Sequence, residues 1–400
     1  MADEGYSRPR GFFDRDPAFV ARRRRLEAEL LAEAEALGFA EVEVPTLEYA
    51  DLYRAGSEPA ELQRQLLESR ISDWRSFPQD GVQVPSGEVV LRPDLTTPLA
   101  RRWVEACLEP NPPAQARWVS AGQVFRNVAP TGDRPKEFRQ FDVEIFGSAD
   151  PADDAAMLAF AARAVRAAGV THFEVRIGHG ALIEAMCAAV DIEEARRVRL
   201  LRGLEWLCDD LHRAAGPPEK ARRYVQDQLA AYRVRFGDPA WSGLGSGETA
   251  ELAERSRDAF DRRWFTGELS GPQEELVSAI IDSWPRPADL AALATRHAPA
   301  EAAARFEALR TAAAATGGDV TLLARFGRGT GYYDGFTFEL HAHKNAGFSG
   351  LGGGGRFDLT RLARRASEVT GRVGPEGTAW TRGVGFALKL DAMVEAGGAA

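Results

Sequence analysis

Cysteine is scarce in this sequence, which limits the chemistry that the chain can carry. The three cysteines, Cys107, Cys187 and Cys208, are scattered and show none of the spacings of a metal-ligand motif. Their small, odd number fits a reducing compartment. We therefore expect a cytoplasmic protein without a metal ion or other cofactor.

Long apolar runs are missing as well. No stretch approaches the roughly 20 apolar residues of a membrane-spanning helix, and the N-terminal segment MADEGYSRPRGFF lacks the apolar part of a secretory signal. The sequence therefore predicts no membrane association and no export. An excess of positive charge is also absent. The formal net charge is −9 and the pI is about 5.4, a balance that gives no support to a nucleic-acid partner.

What the sequence does contain is enough apolar material for a sizeable core. Hydrophobic residues make up 44% of the 400 residues, and this length suits one large domain or two to three smaller ones. Residues 191–317 have the pattern of successive helices without a catalytic motif. We therefore expect a first core segment over residues 1–188, a helical insertion over 189–318 and a second core segment over 319–400.

The most informative stretch is residues 118–147, WVSAGQVFRNVAPTGDRPKEFRQFDVEIFG. Residues 119–127 and 138–147 are predicted to form two antiparallel strands, joined by a loop that contains two prolines and a glycine. In the second strand the side chains alternate with period 2. The apolar set is Phe141, Val143 and Ile145, and the polar set, pointing the other way, is Gln140, Asp142 and Glu144.

This polar ladder has two interpretations. An ordinary solvated sheet face gives the same alternation. Arg126, at the end of the first strand, favours a binding site, because a guanidinium, an amide and a carboxylate on one surface suit a ligand that carries both an amine and a carboxylate.

A second candidate follows a short predicted strand over residues 88–91. In the segment RPDLTTP, residues 92–98, two prolines restrict the backbone around Asp94 and Thr96. Pinned polar side chains at a strand end suit ligand binding. Either residue could equally cap the helix that follows, so the sequence leaves both interpretations open.

A third candidate is RGTGYYDG, residues 328–335, between predicted strands over 321–326 and 336–341. Its arginine and paired tyrosines could contact a ligand, or they could form a basic turn followed by core aromatics. The glycine spacing is not that of a nucleotide-binding loop. Further along, the glycines of residues 352–355 could let the backbone approach a ligand or form a flexible surface loop.

Other features have simpler structural interpretations. Asp16 and Pro17 are a good N-cap and first residue of a helix that Gly38 ends. The basic run of residues 22–25 is more simply a solvated helix turn than a nucleic-acid patch. Residues 41–45 alternate as a strand. A lone histidine after a strand, such as His179, is more often a structural hydrogen-bonding group than a ligand.

Together these motifs resemble those of histidyl-tRNA synthetase, a class II aminoacyl-tRNA synthetase. The resembling stretches are residues 17–45 (motif 1), 91–97 (the Leu-Arg-Pro-Glu-Gly-Thr box), 125–144 (motif 2), 328–333 (the Arg-Gly-Leu-Asp-Tyr-Tyr signature) and 352–358 (the Gly-Gly-Arg-Tyr-Asp box). This sequence departs from those patterns at Asp94, Leu95, Gly331 and Phe357, where the family has glutamate, glycine, aspartate and tyrosine. The resemblance implies an α+β class II synthetase-like fold, a mainly antiparallel sheet flanked by helices, here with a helical insertion.

The largest departure lies where the family binds ATP. Residues 385–392, GFALKLDA, replace the motif 3 pattern Gly-Phe-Ala-x-Gly-x-Glu-Arg. Lys389 takes the place of a glycine, and Ala392 takes the place of the arginine that contacts ATP, whose charge a methyl group cannot supply. Because the sequence ends at Ala400, we also expect no anticodon-binding domain and no tRNA partner.

A retained amino-acid box beside a changed ATP box resembles the regulatory subunits of ATP phosphoribosyltransferase, which are paralogues of histidyl-tRNA synthetase. The resemblance implies a non-catalytic protein of histidine biosynthesis that binds histidine and activates and regulates a short-form catalytic subunit, as a homodimer within a hetero-oligomer. A diverged ligase that activates an amino acid with ATP is the alternative, and a plain structural scaffold is a third possibility.

The same resemblance implies a histidine site, residue by residue. The residues expected to line it are Asp94, Thr96 and Gln140 at the α-amino end, Arg328 at the carboxylate, Glu144 and Tyr333 at the imidazole, and Arg126 and Tyr332 at its border.

Overall fold

A mixed sheet forms the centre of the computed structural model of this chain, which describes residues 8–55, 66–69, 88–128, 135–194, 197, 270–283, 286–323, 333–344 and 347–398. The described strands are β1 (Ala40–Glu41), β2 (Leu47–Tyr49), β3 (Leu67–Ser69), β4 (Val89–Leu91), β5 (Ala116–Phe125), β6 (Glu137–Phe146), β7 (Phe173–His179), β8 (Asp319–Leu322), β9 (Tyr333–Lys344), β10 (Gly347–Asp358) and β11 (Arg382–Lys389).

Eight of these strands form the main sheet in the order β1-β5-β6-β11-β10-β9-β7-β8, and the other three form a small sheet in the order β2-β4-β3. The pairs β1–β5 and β7–β8 are parallel, and the remaining pairs of the main sheet are antiparallel. The predicted α+β class with a mainly antiparallel sheet is therefore confirmed.

Helices flank this sheet. In the described part of the chain they are α1 (Pro17–Ala36), α2 (Ala50–Ala55), α3 (Thr96–Cys107), α4 (Pro151–Ala167), α5 (Gly180–Ala189), α6 (Gly271–Ser283), α7 (Pro287–His297), α8 (Ala300–Ala315), α9 (Thr360–Thr370) and α10 (Leu390–Gly397), with a 3₁₀ turn at Ala379–Thr381.

The sequence defines both ends of α1. The Asp16 carboxylate accepts a hydrogen bond from the backbone N–H of Phe19 at 2.8 Å, which satisfies one of the N–H groups that a helix start leaves unpaired. Gly38, just after the helix, has a φ of +82°, a backbone conformation that glycine adopts without a Cβ clash. Of the basic run, Arg23 pairs with Asp391 at 2.8 Å, and its three arginine neighbours are exposed, as a solvated turn requires.

One face of the main sheet is apolar and carries the core. Side chains from β6, β7, β9 and β11 share this face and pack with those of α1, α4, α5 and α10 in one buried cluster. Fully burying such a side chain stabilises a protein by about 1.5–3 kcal/mol. The face is made mostly by Phe141, Val143, Ile145, Val175, Ile177, Phe336, Phe338, Leu340, Val384, Phe386 and Leu388.

The described helices of the expected insertion add to this same cluster. Phe306, Leu309 and Ala313 of α8 are buried in it, and α8 contacts both α4 and β7. The end of the predicted insertion therefore packs on the core, although residues 198–269 lie outside the described part of the chain.

The strand predicted over residues 41–45 is shorter than expected. Only Ala40–Glu41 pairs, in parallel with β5. Beyond it, the buried guanidinium of Arg92 donates to the carbonyl oxygens of Val44 and Pro45. Those carbonyls are thus held by a side chain instead of by a neighbouring strand.

Two further predictions have clear outcomes. Residues 352–355 do not form a flexible surface loop; they lie inside β10, paired on both sides with β9 and β11. His179 has the structural role, because its Nδ1 accepts a hydrogen bond from the backbone N–H of Leu182 at 3.1 Å and so caps α5. Burial lowers the pKa of His179 to about 4, which keeps this acceptor nitrogen unprotonated at neutral pH.

Candidate functional site

The polar ladder of β6 is buried. Gln140, Asp142 and Glu144 are 2%, 0% and 1% exposed, respectively, on the face opposite to Phe141 and Val143. The interpretation of this face as a solvated surface is therefore wrong. Burying an amide and two carboxyl groups is costly unless they have partners, so this arrangement points to a binding role.

Next to the ladder, the sheet presents almost no side chains. In the register of β6 with β11, Ala387 lies opposite Asp142 and Gly385 lies opposite Glu144. The next strand, β10, places Gly353 beside Ala387 and Gly355 beside Gly385. These four residues, which we call the glycine floor, carry no side chain larger than a methyl group in the middle of the sheet between β6 and β9.

The Glu144 side chain lies over one residue of the glycine floor, Gly385. A Cβ atom built on Gly385 would overlap the Oε2 atom of Glu144, so the Glu144 carboxylate occupies the space that any larger residue at position 385 would need. The position of this carboxylate thus depends on a glycine in the neighbouring strand.

Asp94 and Thr96 lie where β4 leads into α3, and the helix-capping interpretation applies to Asp94. The Asp94 carboxylate accepts hydrogen bonds from the backbone N–H of Thr97 at 3.3 Å and from its hydroxyl at 3.2 Å, so it does cap the helix. Thr96 Oγ1 donates to Oδ2 of Asp142 at 2.9 Å. The start of α3 is thereby joined to the polar ladder.

Arg126 lies beside the same carboxyl groups. Its Nε donates to the carbonyl oxygen of Pro93 at 2.8 Å, and its guanidinium lies 5.2 Å from the centre of the Phe138 ring. Its positive charge lowers the pKa of both Asp94 and Asp142. The structure therefore brings Arg126 together with Asp94, Thr96, Gln140 and Asp142.

Asp142 is the residue of this cluster that the sequence-based site omits. It belongs to the predicted polar ladder, but the motifs alone give it no role. Burial raises its pKa well above the usual value, and the Asp94 carboxylate raises it further. Burial also raises the pKa of Asp94. The alternation in β6 was the signal in the sequence that places Asp142 on the same face as Gln140 and Glu144. The hydrogen bond from Thr96 is what connects Asp142 to the start of α3.

Two buried acceptor atoms in the cluster have no hydrogen-bond donor among the described residues, namely Oε1 of Gln140 and Oδ1 of Asp142. Buried polar atoms in native proteins are rarely left without a partner. Acceptors beside two carboxyl groups suit a ligand group that donates hydrogen bonds and carries positive charge.

Tyr333 lies across the glycine floor from the β6 ladder. It lines a small pocket formed by the end of β8, β9 and the floor, whose other lining residues are Leu323, Thr337, Phe338, Glu339, Gly353 and Gly354. Arg328 and Tyr332 fall within residues 324–332, outside the described part of the chain, so their place in the site stays a prediction.

The residues at the expected ATP box are engaged in packing. Ala392 packs against the core. The neighbouring Asp391 carboxylate accepts hydrogen bonds from Arg23 at 2.8 Å and from the backbone N–H of Arg139 at 2.7 Å. Lys389 Nζ lies 6.0 Å from the centre of the Phe138 ring, and Lys389 is in register with Gln140.

Replacing Asp142 with asparagine should stabilise the protein in a pH-dependent way. The folded-state pKa of Asp142 is raised, so ionisation of Asp142 destabilises the folded protein. This destabilisation is absent below about pH 4 and increases as the pH rises towards the folded-state pKa. Asp142→Asn should therefore raise the free energy of unfolding at pH 7, by about 1.4 kcal/mol for each unit by which the folded-state pKa exceeds the unfolded one.

Urea unfolding of both proteins at pH 4, 5.5 and 7 measures this difference, which should shrink towards zero at pH 4. A difference of equal size at all three pH values would show that Asp142 is not charged unfavourably in the folded state.

The described residues also bear on whether this part of the chain has a metal site or a membrane-spanning helix. No group of three or more histidine, cysteine, aspartate and glutamate side chains in that part of the chain is arranged to hold a metal ion. None of the helices described above is both long and apolar enough to cross a membrane.

Comparison with known proteins finds similarity to histidyl-tRNA synthetases in the first half of the chain. The family "Histidyl-tRNA synthetase" matches residues 11–207. A histidine–tRNA ligase of Bradyrhizobium diazoefficiens is 31% identical over 223 residues, which is 52% of this chain and 41% of that protein. The chain thus spans about two-fifths of that relative.

Other relatives match nearly the whole chain. The histidine–tRNA ligase of Archaeoglobus fulgidus is 26% identical over 97% of this chain and 75% of its own length. The ATP phosphoribosyltransferase regulatory subunit of Geobacillus thermodenitrificans is 25% identical over 98% of this chain and 80% of its own length.

The fold has close counterparts among solved structures. A crystal structure from Bacillus halodurans, described as an ATP phosphoribosyltransferase regulatory subunit/histidyl-tRNA synthetase, superposes with a TM-score of 0.56, covers 98% of this chain and 83% of that chain, and is 20% identical. The chain is thus similar, over nearly its whole length, both to ATP phosphoribosyltransferase regulatory subunits and to histidine–tRNA ligases, and it has the histidyl-tRNA synthetase-like fold.

Proposed function

We propose that this chain is a non-catalytic regulatory subunit of an ATP phosphoribosyltransferase in histidine biosynthesis, and that it binds histidine over the glycine floor. The observation that carries the proposal is the buried polar ladder of β6 beside that floor. A sheet that only packed would present apolar or solvated residues there. This one keeps two acceptor atoms, Gln140 Oε1 and Asp142 Oδ1, out of water without a donor among the described residues, which is costly.

The placement of histidine follows from the charges. The α-ammonium group would lie among Asp94, Thr96 and Gln140, with Arg126 at the border of this end. The imidazole would lie over the floor between Glu144 and Tyr333. The carboxylate would be held by Arg328, with Tyr332 bordering it, and these two contacts come from the sequence motif alone.

The partner proposal is supported by the full-length relatives that are named ATP phosphoribosyltransferase regulatory subunit. The chain would act in the cytoplasm as a homodimer within a hetero-oligomer, and it would activate a short-form catalytic subunit. Histidine, the product of the pathway, would bind to this chain and thereby regulate the catalytic subunit.

Replacing Glu144 with glutamine should weaken histidine binding at least about tenfold, because a hydrogen bond to a charged group is worth roughly 1.5–3 kcal/mol. Calorimetric titration of histidine into the purified protein, and into its complex with a short-form catalytic subunit, measures the loss. Asp153→Asn is a matched control, since Asp153 is also buried but pairs with Arg117 away from the site. Unchanged affinity in Glu144→Gln would reject this site.

A diverged ligase remains the second candidate, because relatives named histidine–tRNA ligase match with similar identity. Such an enzyme must hold ATP and neutralise its phosphate charge. At position 392 this chain has alanine packed against the core. Histidine-dependent exchange of pyrophosphate into ATP separates the two functions, and we expect none.

A further inference from the structure

Asp142 differs from the other acidic residues of the site in how its two oxygens are used. Oδ2 accepts the hydroxyl of Thr96 at 2.9 Å, whereas Oδ1 is buried and accepts from none of the described residues. On the neighbouring strand β11, the residue in register with Asp142 is Ala387, whose methyl side chain has no polar atom to offer the carboxylate. Oδ1 is therefore a buried acceptor beside the glycine floor that has no donor among the described residues.

Asp142 lies among several charged groups. Asp94 and Asp142 are both buried, and each raises the cost of charging the other. Arg126 lowers the pKa of both carboxyl groups, and Arg92, which is also buried, interacts with both of them. The other charged residues at this end of the site are Glu144 on the same strand and Lys389 on β11, in register with Gln140.

A second, independent observation lies beside the pair. Oε1 of Gln140, a side chain only 2% exposed, also accepts from no described residue. Two acceptors from neighbouring positions on one face of β6 thus lie next to a pair of carboxyl groups. A group with several N–H donors and one positive charge satisfies both, and a primary ammonium has three such donors.

We propose that Asp142 is a specificity-determining residue that binds the α-ammonium group of the ligand directly and makes a positively charged amine a requirement for binding. This inference rests on the proposed histidine site. It adds a fourth group to that end of the site and assigns the selection between amino acids and their deaminated analogues to Asp142.

A proton balance follows from the same arrangement. Burial raises the pKa of both Asp94 and Asp142 in the ligand-free protein, and the Asp94 carboxylate raises that of Asp142 further, so the pair keeps its protons to a higher pH than free aspartates do. A bound ammonium group favours the ionised form of both carboxyl groups, and the protons that they lose leave to solvent. Binding of histidine should thus release more protons than binding of an analogue that has no amine.

The test compares L-histidine with 3-(imidazol-4-yl)propionate, which lacks the amine, by calorimetric titration at pH 7 in two buffers of different ionisation enthalpy. For the wild-type protein we expect the extra proton release with histidine. Asp142→Asn should remove that extra release and weaken histidine binding at least about tenfold. Its affinity for the imidazolylpropionate should stay within about twofold of wild type or become tighter.

Asp153→Asn, a buried carboxyl variant outside the site, should change neither the affinity nor the proton release. Thermal unfolding checks that each variant is folded, and Asp142→Ser replaces Asp142→Asn should the latter not fold. Wild-type affinity and proton release in the Asp142 variant overturn this inference and leave the histidine site standing. Failure of wild-type protein to bind histidine overturns both.

Discussion

Replacing Gly385 with alanine is expected to destabilise the protein and to abolish or strongly weaken ligand binding over the glycine floor. A Cβ atom at this position would overlap the Glu144 carboxylate and come close to the backbone carbonyl of Val143. Because the residue is buried between β6 and β10, neither neighbour can move away easily. Forcing extra atoms into such a site costs about 1–3 kcal/mol. Urea unfolding and histidine titration measure the two effects.

Gly271→Ala is the matched control, because the same methyl group at the start of α6 would meet no atom within 4 Å. We expect it to leave the free energy of unfolding and the affinity nearly unchanged. Wild-type stability and affinity in Gly385→Ala would show that the β6 and β11 strands are farther apart than described, and that Glu144 is not held by the floor.

Replacing Arg356 with methionine is expected to cost the most stability of any change considered. The Arg356 side chain, 5% exposed, donates to the Asp154 carboxylate at 2.8 and 2.5 Å and to the carbonyl oxygens of Ser148 and Asp150 at 2.5 and 2.7 Å. It thus ties β10 to the turn before α4. Methionine fills similar volume but leaves the carboxylate and the carbonyls without donors, which costs roughly 3–5 kcal/mol.

The pH dependence distinguishes this cause from a simple packing defect. Burial already raises the pKa of Asp154, and Arg356 lowers it. Without the arginine this pKa rises further, so protonation relieves the unpaired charge and the loss of stability should be smaller at pH 5 than at pH 7. Arg310→Met, which breaks an exposed pair with Glu307 on α8, should cost less than about 1 kcal/mol. Equal losses in the two variants would contradict the structural role of Arg356.

Local patterns were sufficient to predict the β5–β6 hairpin and the polar ladder. The period of 2 in β6 and the helix start at Asp16-Pro17 depend only on residues that are close in the sequence. The structure therefore confirms both predictions. Burial of the ladder is different. It depends on β11 and α3, which are distant from β6 in the sequence. Alternation alone cannot distinguish a buried sheet face from a solvent-exposed one.

The β10 strand shows where a local rule fails. Glycine is unfavourable in strands, so the sequence did not predict a strand over residues 352–355 and left a flexible surface loop open as one interpretation. In the structure the pairing with β9 and β11 outweighs that preference, and the missing side chains become the floor. The link between Thr96 and Asp142 was equally out of reach, because the two residues are 46 positions apart in the chain.

The position of β11 has a consequence for synthesis of the protein on the ribosome. This strand lies between β6 and β10, yet it begins at Arg382, long after the ribosome has completed β6 at Phe146. The nascent chain must therefore carry an unpaired strand edge beside its polar ladder until the ribosome has made residues 382–389. Such edges favour aggregation, so we expect truncated products that stop before Arg382 to accumulate as insoluble material, and chaperones to bind the growing chain at β6.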